Sequence, residues 1–130
     1  MPELCGAHFD PLNSAIIHIS STRAKQSEPF CEGYAASKAG LLGLTHAQAT
    51  SFSKDERNIR VNTILPGWID TKEYPVSPED SEFHLVGRVG LPADVSNMAL
   101  FLADYEKSGF ITGQEFTVDG GVTKKMIYPE

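Results

Sequence analysis

A tyrosine, a lysine and a serine stand at spacings that allow proton-transfer chemistry. Tyr34 lies four residues before Lys38 in the segment YAASK, and Ser21 lies thirteen positions before the tyrosine. On a helix, positions i and i+4 share one face, so the phenol and the amine would be neighbours. A free phenol titrates near pH 10, but an adjacent cation stabilises the phenolate. The pair could therefore work as a general acid and base near neutral pH.

The serine adds a hydrogen-bond donor to this pair. Ser21 could orient a carbonyl or alkoxide oxygen against the phenol of Tyr34, which is the proton transfer that accompanies hydride transfer to or from a carbinol carbon. Side chains carry no hydride, so a cofactor would have to supply it. The adjacent Ser20 could compete for this role. Tyr-x-x-x-Lys alone is a weak motif, because most such pairs are ordinary helix surface.

The elements that would position these residues alternate along the chain. Apolar runs predict buried strands at 15–19, 59–65 and 114–121, and helical patterns cover 31–54 and 92–104. Strands alternating with helices predict an α/β fold with parallel strands and crossover helices. About three strands make a small sheet, and we expect strand 15–19 to have an open edge. Ligands of such sheets bind beyond the carboxyl ends of the strands, where Ser21 lies.

Two segments have no regular pattern. Residues 1–14 predict a loop, and residues 72–90 predict a long irregular segment or lid. The ending Asp-Gly-Gly at 119–121 predicts a tight turn rather than a metal site. We interpret His18 as a core histidine with a partner and His84 as a surface or lid residue. A stripe of small residues on the first helix fits helix pairing and packing on the sheet equally well: Ala35, Ala39, Gly43 and Ala47.

Composition excludes several classes of function. The chain has 130 residues, a length that suffices for one small domain. Its residues are 41% hydrophobic, and its net charge is -6. Its basic residues are scattered, so a nucleic-acid or anionic-membrane surface is not expected. Cys5 and Cys31 have no metal spacing. Without an apolar run of about 20 residues or a signal peptide, we predict a cytoplasmic protein.

From Ala15 to Gly121 the chain resembles the C-terminal half of a short-chain dehydrogenase/reductase. The matching segments are IIHISS, YAASKAGLLGLT, IRVNTILPGWIDT, GLPADVSNMALFLAD and FITGQEFTVDGG. The thirteen-residue interval between the serine and the tyrosine is similar to the ordinary branch of that family rather than the extended one. The resemblance implies the C-terminal part of a Rossmann-like, doubly wound parallel sheet. It also implies an oxidoreductase that uses NAD or NADP on an alcohol or ketone.

The resemblance assigns roles to individual residues. It makes Ser21 the donor to the substrate oxygen and Tyr34 the acid/base. Lys38 would acidify the tyrosine and bind the nicotinamide ribose. It also implies a mobile substrate loop over 70–90, and a dimer or tetramer in which helix 31–54 pairs with its twin. The segment that lines the nicotinamide matches at Pro66, Gly67, Ile69 and Thr71.

The family's glycine-rich turn, its Asn-Ala-Gly signature and its helix asparagine are absent from this sequence. We therefore predict one partial domain, 1–130, which holds the catalytic half without the adenosine-phosphate site. Two interpretations stay open: a truncated oxidoreductase with little activity alone, or a non-catalytic remnant that acts as an oligomerising module. Glu73, Glu79, Asp80 and Glu82 disfavour anionic substrates, which leaves a neutral alcohol, sugar or ketone.

Overall fold

The computed structural model describes residues 14–54 and 58–130. The loop predicted for 1–14 lies almost entirely outside this part. Short 3-10 turns occupy Thr22–Ala24 and Val122–Lys124. The strands and helices in chain order are β1 (Ala15–Ile19), α1 (Glu32–Phe52), β2 (Arg60–Pro66), α2 (Pro78–Phe83), α3 (Pro92–Ala103), α4 (Tyr105–Ser108) and β3 (Glu115–Val118).

The three strands form one parallel sheet in the order β1-β2-β3. Ile19 of β1 stands opposite Ile64 of β2, and Pro66 of β2 stands opposite Val118 of β3. Helices connect the strands, since α1 leads from β1 to β2, while α2, α3 and α4 lie between β2 and β3. The predicted α/β class with parallel strands is confirmed. In a parallel sheet all carboxyl ends share one edge, so the segments after β1, β2 and β3 meet there.

The core lies around β2. Val61 and Ile64 are fully buried, and Leu102 of α3 packs into the same interior. β1 is only partly covered, and within the described residues β2 is its one neighbour. The predicted open edge of β1 is thus present.

Helix α1 places one face on the sheet and leaves another in solvent. Thr45 and Ala49 are buried, and the Thr45 hydroxyl donates to the carbonyl of Leu41. The predicted stripe of small residues divides between these faces. Ala35 and Ala39 are half-buried, whereas Gly43 and Ala47 are exposed.

The lid is more ordered than the sequence pattern predicted, since residues 78–83 form α2. Ser77 caps this helix by accepting from the backbone N–H of Asp80, whose carboxylate accepts from the Ser77 N–H in return. Pro78 occupies the first turn, where its missing N–H costs nothing. The capping box Ser-Pro-Glu-Asp was the signal that the irregular interpretation missed.

Across residues 14–54 and 58–130, none of the helices combines the length and the apolar character that a membrane crossing requires. The predicted cytoplasmic location stays a prediction.

Candidate active site

A cleft of about 710 Å³ opens beyond the carboxyl ends of β1 and β2. Three segments meet there: the 3-10 turn after β1, the start of α1, and the loop after β2. Residues of all three segments, and of the first part of the lid, line it; among them are Ser21, Arg23, Tyr34, Trp68, Thr71 and Tyr74.

The two adjacent serines after β1 have different roles in the structure. The Ser20 hydroxyl is buried and donates to the carbonyl of Lys38 at 2.7 Å, so it fastens α1 to the end of β1. The Ser21 hydroxyl lines the cleft and accepts from the backbone N–H of Arg23 at 3.1 Å. Because that bond occupies an oxygen lone pair, the hydroxyl proton of Ser21 can still be donated. The serine predicted for the site is thus the one that faces the cleft.

Tyr34 and Lys38 share the first turns of α1, as their spacing predicted. The Tyr34 side chain lines the cleft, and the residue is 47% exposed. The Lys38 ammonium lies 5.7 Å from the centroid of the Tyr34 ring, within the range of a cation–π contact. It also donates to the carbonyl of Ile19 at 3.2 Å, which holds the amine between α1 and the end of β1.

Arg23 is a second cation at the tyrosine, and sequence reasoning missed it. Its guanidinium carbon lies 5.8 Å from the centroid of the Tyr34 ring, and its side chain forms an ion pair with Glu28. The sequence carries no signal for this placement, since the hydrogen bond from the Arg23 N–H to the Ser21 hydroxyl exists only in the folded turn. Only the 3-10 turn brings this side chain back onto the tyrosine.

The loop after β2 forms the second wall. The Gly67 N–H donates to the Val118 carbonyl at 2.9 Å, and a Cβ at position 67 would meet the Asp119 Cβ at 2.7 Å. Only glycine fits this close approach. Gly67, Ile69 and Thr71 all line the large cleft, whereas Pro66 ends β2 behind them.

Asp70 is an anion at the rim of this wall. The Lys72 ammonium donates to its carboxylate at 2.8 Å, and the Lys72 backbone N–H donates to it at the same distance. These hydrogen bonds lower the pKa of the Asp70 carboxyl below its usual range. The carboxylate therefore stays ionised at neutral pH.

A smaller cleft of about 240 Å³ lies on the other side of Trp68, which borders both clefts. Arg88 and Asp94 form a two-bonded ion pair at its wall, with N–O distances of 2.7 and 2.8 Å. The Arg88 hydrogen bonds, joined by one from the Leu91 N–H, hold the pKa of the Asp94 carboxyl well below its usual range.

Other predicted features have clear places. His18 contacts Gln48 at 2.7 Å, so it has the predicted partner, although it is half-buried rather than part of the core. His84 belongs to the lid, which is one of the two predicted places, and it is buried there, with 3% of its surface exposed. The Asp-Gly-Gly turn is confirmed, since Gly120 and Gly121 have φ angles of 62° and 86°. In the described ranges no three His, Cys, Asp or Glu residues cluster as a metal site.

Comparisons with known proteins agree with this geometry. The family described as enoyl-(acyl carrier protein) reductase matches residues 5–123. A Thermotoga maritima protein named "Uncharacterized oxidoreductase" is 53% identical over 124 residues, which are 88% of this chain and 48% of that protein. The Chlamydia trachomatis protein "3-oxoacyl-[acyl-carrier-protein] reductase FabG" is 38% identical over 128 residues. The matched region is 92% of this chain and 50% of that protein.

Solved structures show the same likeness. An apo SCOR enzyme from Clostridium thermocellum superposes with a TM-score of 0.79 at 47% identity, over 88% of this chain and 44% of that one. The chain spans about half the length of the relatives it matches.

Proposed function

The chain belongs to the short-chain dehydrogenase/reductase family, and on that premise we propose that it supplies the catalytic half of an NAD(P)-dependent oxidoreductase. The reaction would interconvert an alcohol and a ketone. One observation carries the proposal: Ser21 and Tyr34 line the same cleft, while the Lys38 ammonium lies 5.7 Å from the tyrosine ring. Core packing alone does not require a half-exposed phenol with two cations close to its ring.

Each side chain has a step in this scheme. When bound, the nicotinamide supplies a hydride to the carbonyl carbon or accepts one from the carbinol carbon. In the reductive direction Ser21 donates a hydrogen bond to the carbonyl oxygen and orients it. Tyr34 then gives its phenolic proton to that oxygen as negative charge develops there. Lys38 stabilises the resulting tyrosinate, and in the oxidative direction the same proton returns to Tyr34.

The loop after β2 fits one end of a nicotinamide nucleotide. Gly67 allows close backbone approach, Ile69 could offer backbone groups to the carboxamide, and Thr71 could offer a hydroxyl. In this proposal Lys38 would bind the ribose hydroxyls. One structural neighbour, 30% identical with a TM-score of 0.70, is described as ElxO with NADP bound. We propose NAD or NADP as the cofactor of the complete enzyme.

For the substrate we propose a neutral alcohol, sugar or ketone. The carboxylates of Asp70 and Glu73 at the cleft disfavour an anion, and the rings of Trp68 and Tyr74 offer apolar faces. The relatives' names span several classes, including a 3-oxoacyl-[acyl-carrier-protein] reductase, a hydroxysteroid dehydrogenase and an aldohexose dehydrogenase.

We also propose that the protein is a homo-oligomer, a dimer or a tetramer. The outer side of α1 supports this. A Cβ added at Gly33, Gly40 or Gly43 would meet no atom within 4 Å, so this face has room for a helix of a second copy to approach. The same face and the open edge of β1 also favour the alternative of an oligomerising module without catalysis. Titration of the chain with NADPH, followed by nicotinamide fluorescence, separates these roles, since tight binding would exclude the module.

The test uses this chain joined to the N-terminal half of the Thermotoga maritima relative. Turnover with secondary alcohols and ketones is followed by reduced-nicotinamide absorbance. Tyr34→Phe removes the proton carrier and should lower kcat by about 10²- to 10⁴-fold. Tyr105→Phe is the matched control, because this tyrosine lies on α4 and does not line the cleft. Full activity of the Tyr34→Phe protein would contradict the proposal.

A further inference from the structure

The segment after β3 touches the lid along its last residues. The Val86 N–H donates to the carbonyl of Gly120 at 3.3 Å. A Cβ at position 121 would meet the Leu85 Cδ1 at 2.7 Å, and one at position 120 would meet the Val86 Cγ2 at 3.0 Å. The turn therefore needs its glycines for close approach as well as for their positive φ angles.

Lys125 makes a further contact to the same part of the lid. Its ammonium donates to the carbonyl of Phe83, the last residue of α2, and lies 3.5 Å from the centroid of the Phe83 ring. The last carbonyls of a helix have no partner within the helix, and a cation at that end also meets the negative end of the helix dipole. Lys125 thus supplies a hydrogen-bond donor to a carbonyl at the C-terminal end of α2.

The two ends of the lid are held very differently. Residues 71–76 are exposed, and Tyr74, which lines the large cleft, is 73% exposed. At the other end His84 is 3% exposed and packs against Trp68, with ring centroids 6.0 Å apart. The lid is packed where the segment after β3 reaches it and exposed where it borders the cleft.

From this contrast we propose that Lys125 is a positioning residue for the lid, residues 72–90. Its contact with Phe83, together with the glycine turn, sets the fixed point from which residues 73–74 approach the cleft. The inference rests on contacts within this chain and does not depend on the proposed reaction.

Amide hydrogen exchange of the chain itself tests this proposal. Lys125→Met keeps most of the aliphatic stem and removes the charge and the donor. The amides of His84, Val86 and Gly87, which are hydrogen-bonded at the packed end, should exchange about fivefold faster. The Thr63 amide, at a fully buried position of β2, should keep its rate.

Two further variants complete the test. Lys124→Met is the matched control, since Lys124 is exposed and precedes the contact, and it should leave all these rates unchanged. Lys125→Arg retains a cation and donors, and should restore slow exchange. Unchanged lid rates in Lys125→Met would overturn the proposal, as would equal acceleration at Thr63 or an arginine variant that exchanges like the methionine variant.

Discussion

Neighbouring strands β1 and β2 have different surroundings in this chain. Ile64 of β2 is fully buried, while Ile19, its register partner on β1, is 44% exposed. β2 has a strand on each side, whereas β1 has one neighbour among the described residues. Yet Ser21 follows β1, and the carbonyl that binds the Lys38 ammonium belongs to Ile19. The residues proposed for chemistry thus lie beside an edge strand, and the core of the fold is built around its neighbour β2.

The start of β2 shows how far its burial extends. Arg60 is 6% exposed, and its guanidinium donates to the carbonyl and the hydroxyl of Ser108. Burial lowers the pKa of Arg60, while Tyr105 and Asp104 act in the opposite direction. The ordinary pKa of an arginine lies so far above neutral pH that Arg60 remains a cation at neutral pH.

The largest expected effect tests this difference between the strands directly. Ile64→Ala leaves a cavity in the core and should lower the free energy of unfolding by about 3 to 4 kcal/mol. Ile19→Ala removes a side chain that is already partly in water and should cost about 1 kcal/mol or less. Urea denaturation of both variants measures the two values. Equal losses would show that the edge strand is as well supported as the central one.

The second test separates stability from chemistry at the two serines. Ser21→Ala should lower kcat of the joined enzyme by about 10²-fold, because one hydrogen bond to the reacting oxygen is lost. Ser20→Ala should instead lower the free energy of unfolding by about 1 kcal/mol, since its bond to the Lys38 carbonyl is structural. Turnover and urea denaturation of each variant check the assignment. A larger kcat loss in Ser20→Ala would reverse the two roles.

A third test examines the outer face of α1. Gly40 lies within the helix, and a Cβ there would meet no atom within 4 Å. Gly40→Ala should stabilise the chain by about 0.5 to 1 kcal/mol, because glycine loses more conformational freedom in a helix. Thermal unfolding at low protein concentration measures this. A loss of stability at this low concentration, which favours the dissociated chain, would contradict this expectation.

The smallest expected effect concerns the exposed Arg88–Asp94 pair and its dependence on pH. The pKa of the Asp94 carboxyl is lowered in the folded chain. The contribution of this carboxylate to the free energy of unfolding is therefore fully present above its pKa in the unfolded chain, about 3.9. It is lost as the pH falls through the lower pKa of the folded chain. The melting temperatures of the wild type and Asp94→Asn should differ above about pH 5. The difference should shrink progressively as the pH falls below about 4. A constant difference down to the most acidic pH would contradict this sign.

Much of the fold could be predicted from the sequence because its signals are local. The apolar runs at 15–19 and 59–65 and the helical pattern over 31–54 correspond to β1, β2 and α1. Helix α2 and helix α4 were missed, since six and four residues are too short for periodicity to show. The third strand is shorter than predicted, because the glycines at its end form a turn.

The sequence by itself determined which residue types are proposed for the chemistry and that Tyr34 and Lys38 share a helix face, because helical geometry is local. Only the tertiary structure decided that Ser21 faces the cleft while Ser20 binds backbone, that Arg23 flanks the tyrosine, and that Lys125 reaches the lid. Those choices depend on where segments far apart in the chain meet, and side-chain hydrogen bonds over such separations leave no periodic pattern in a sequence.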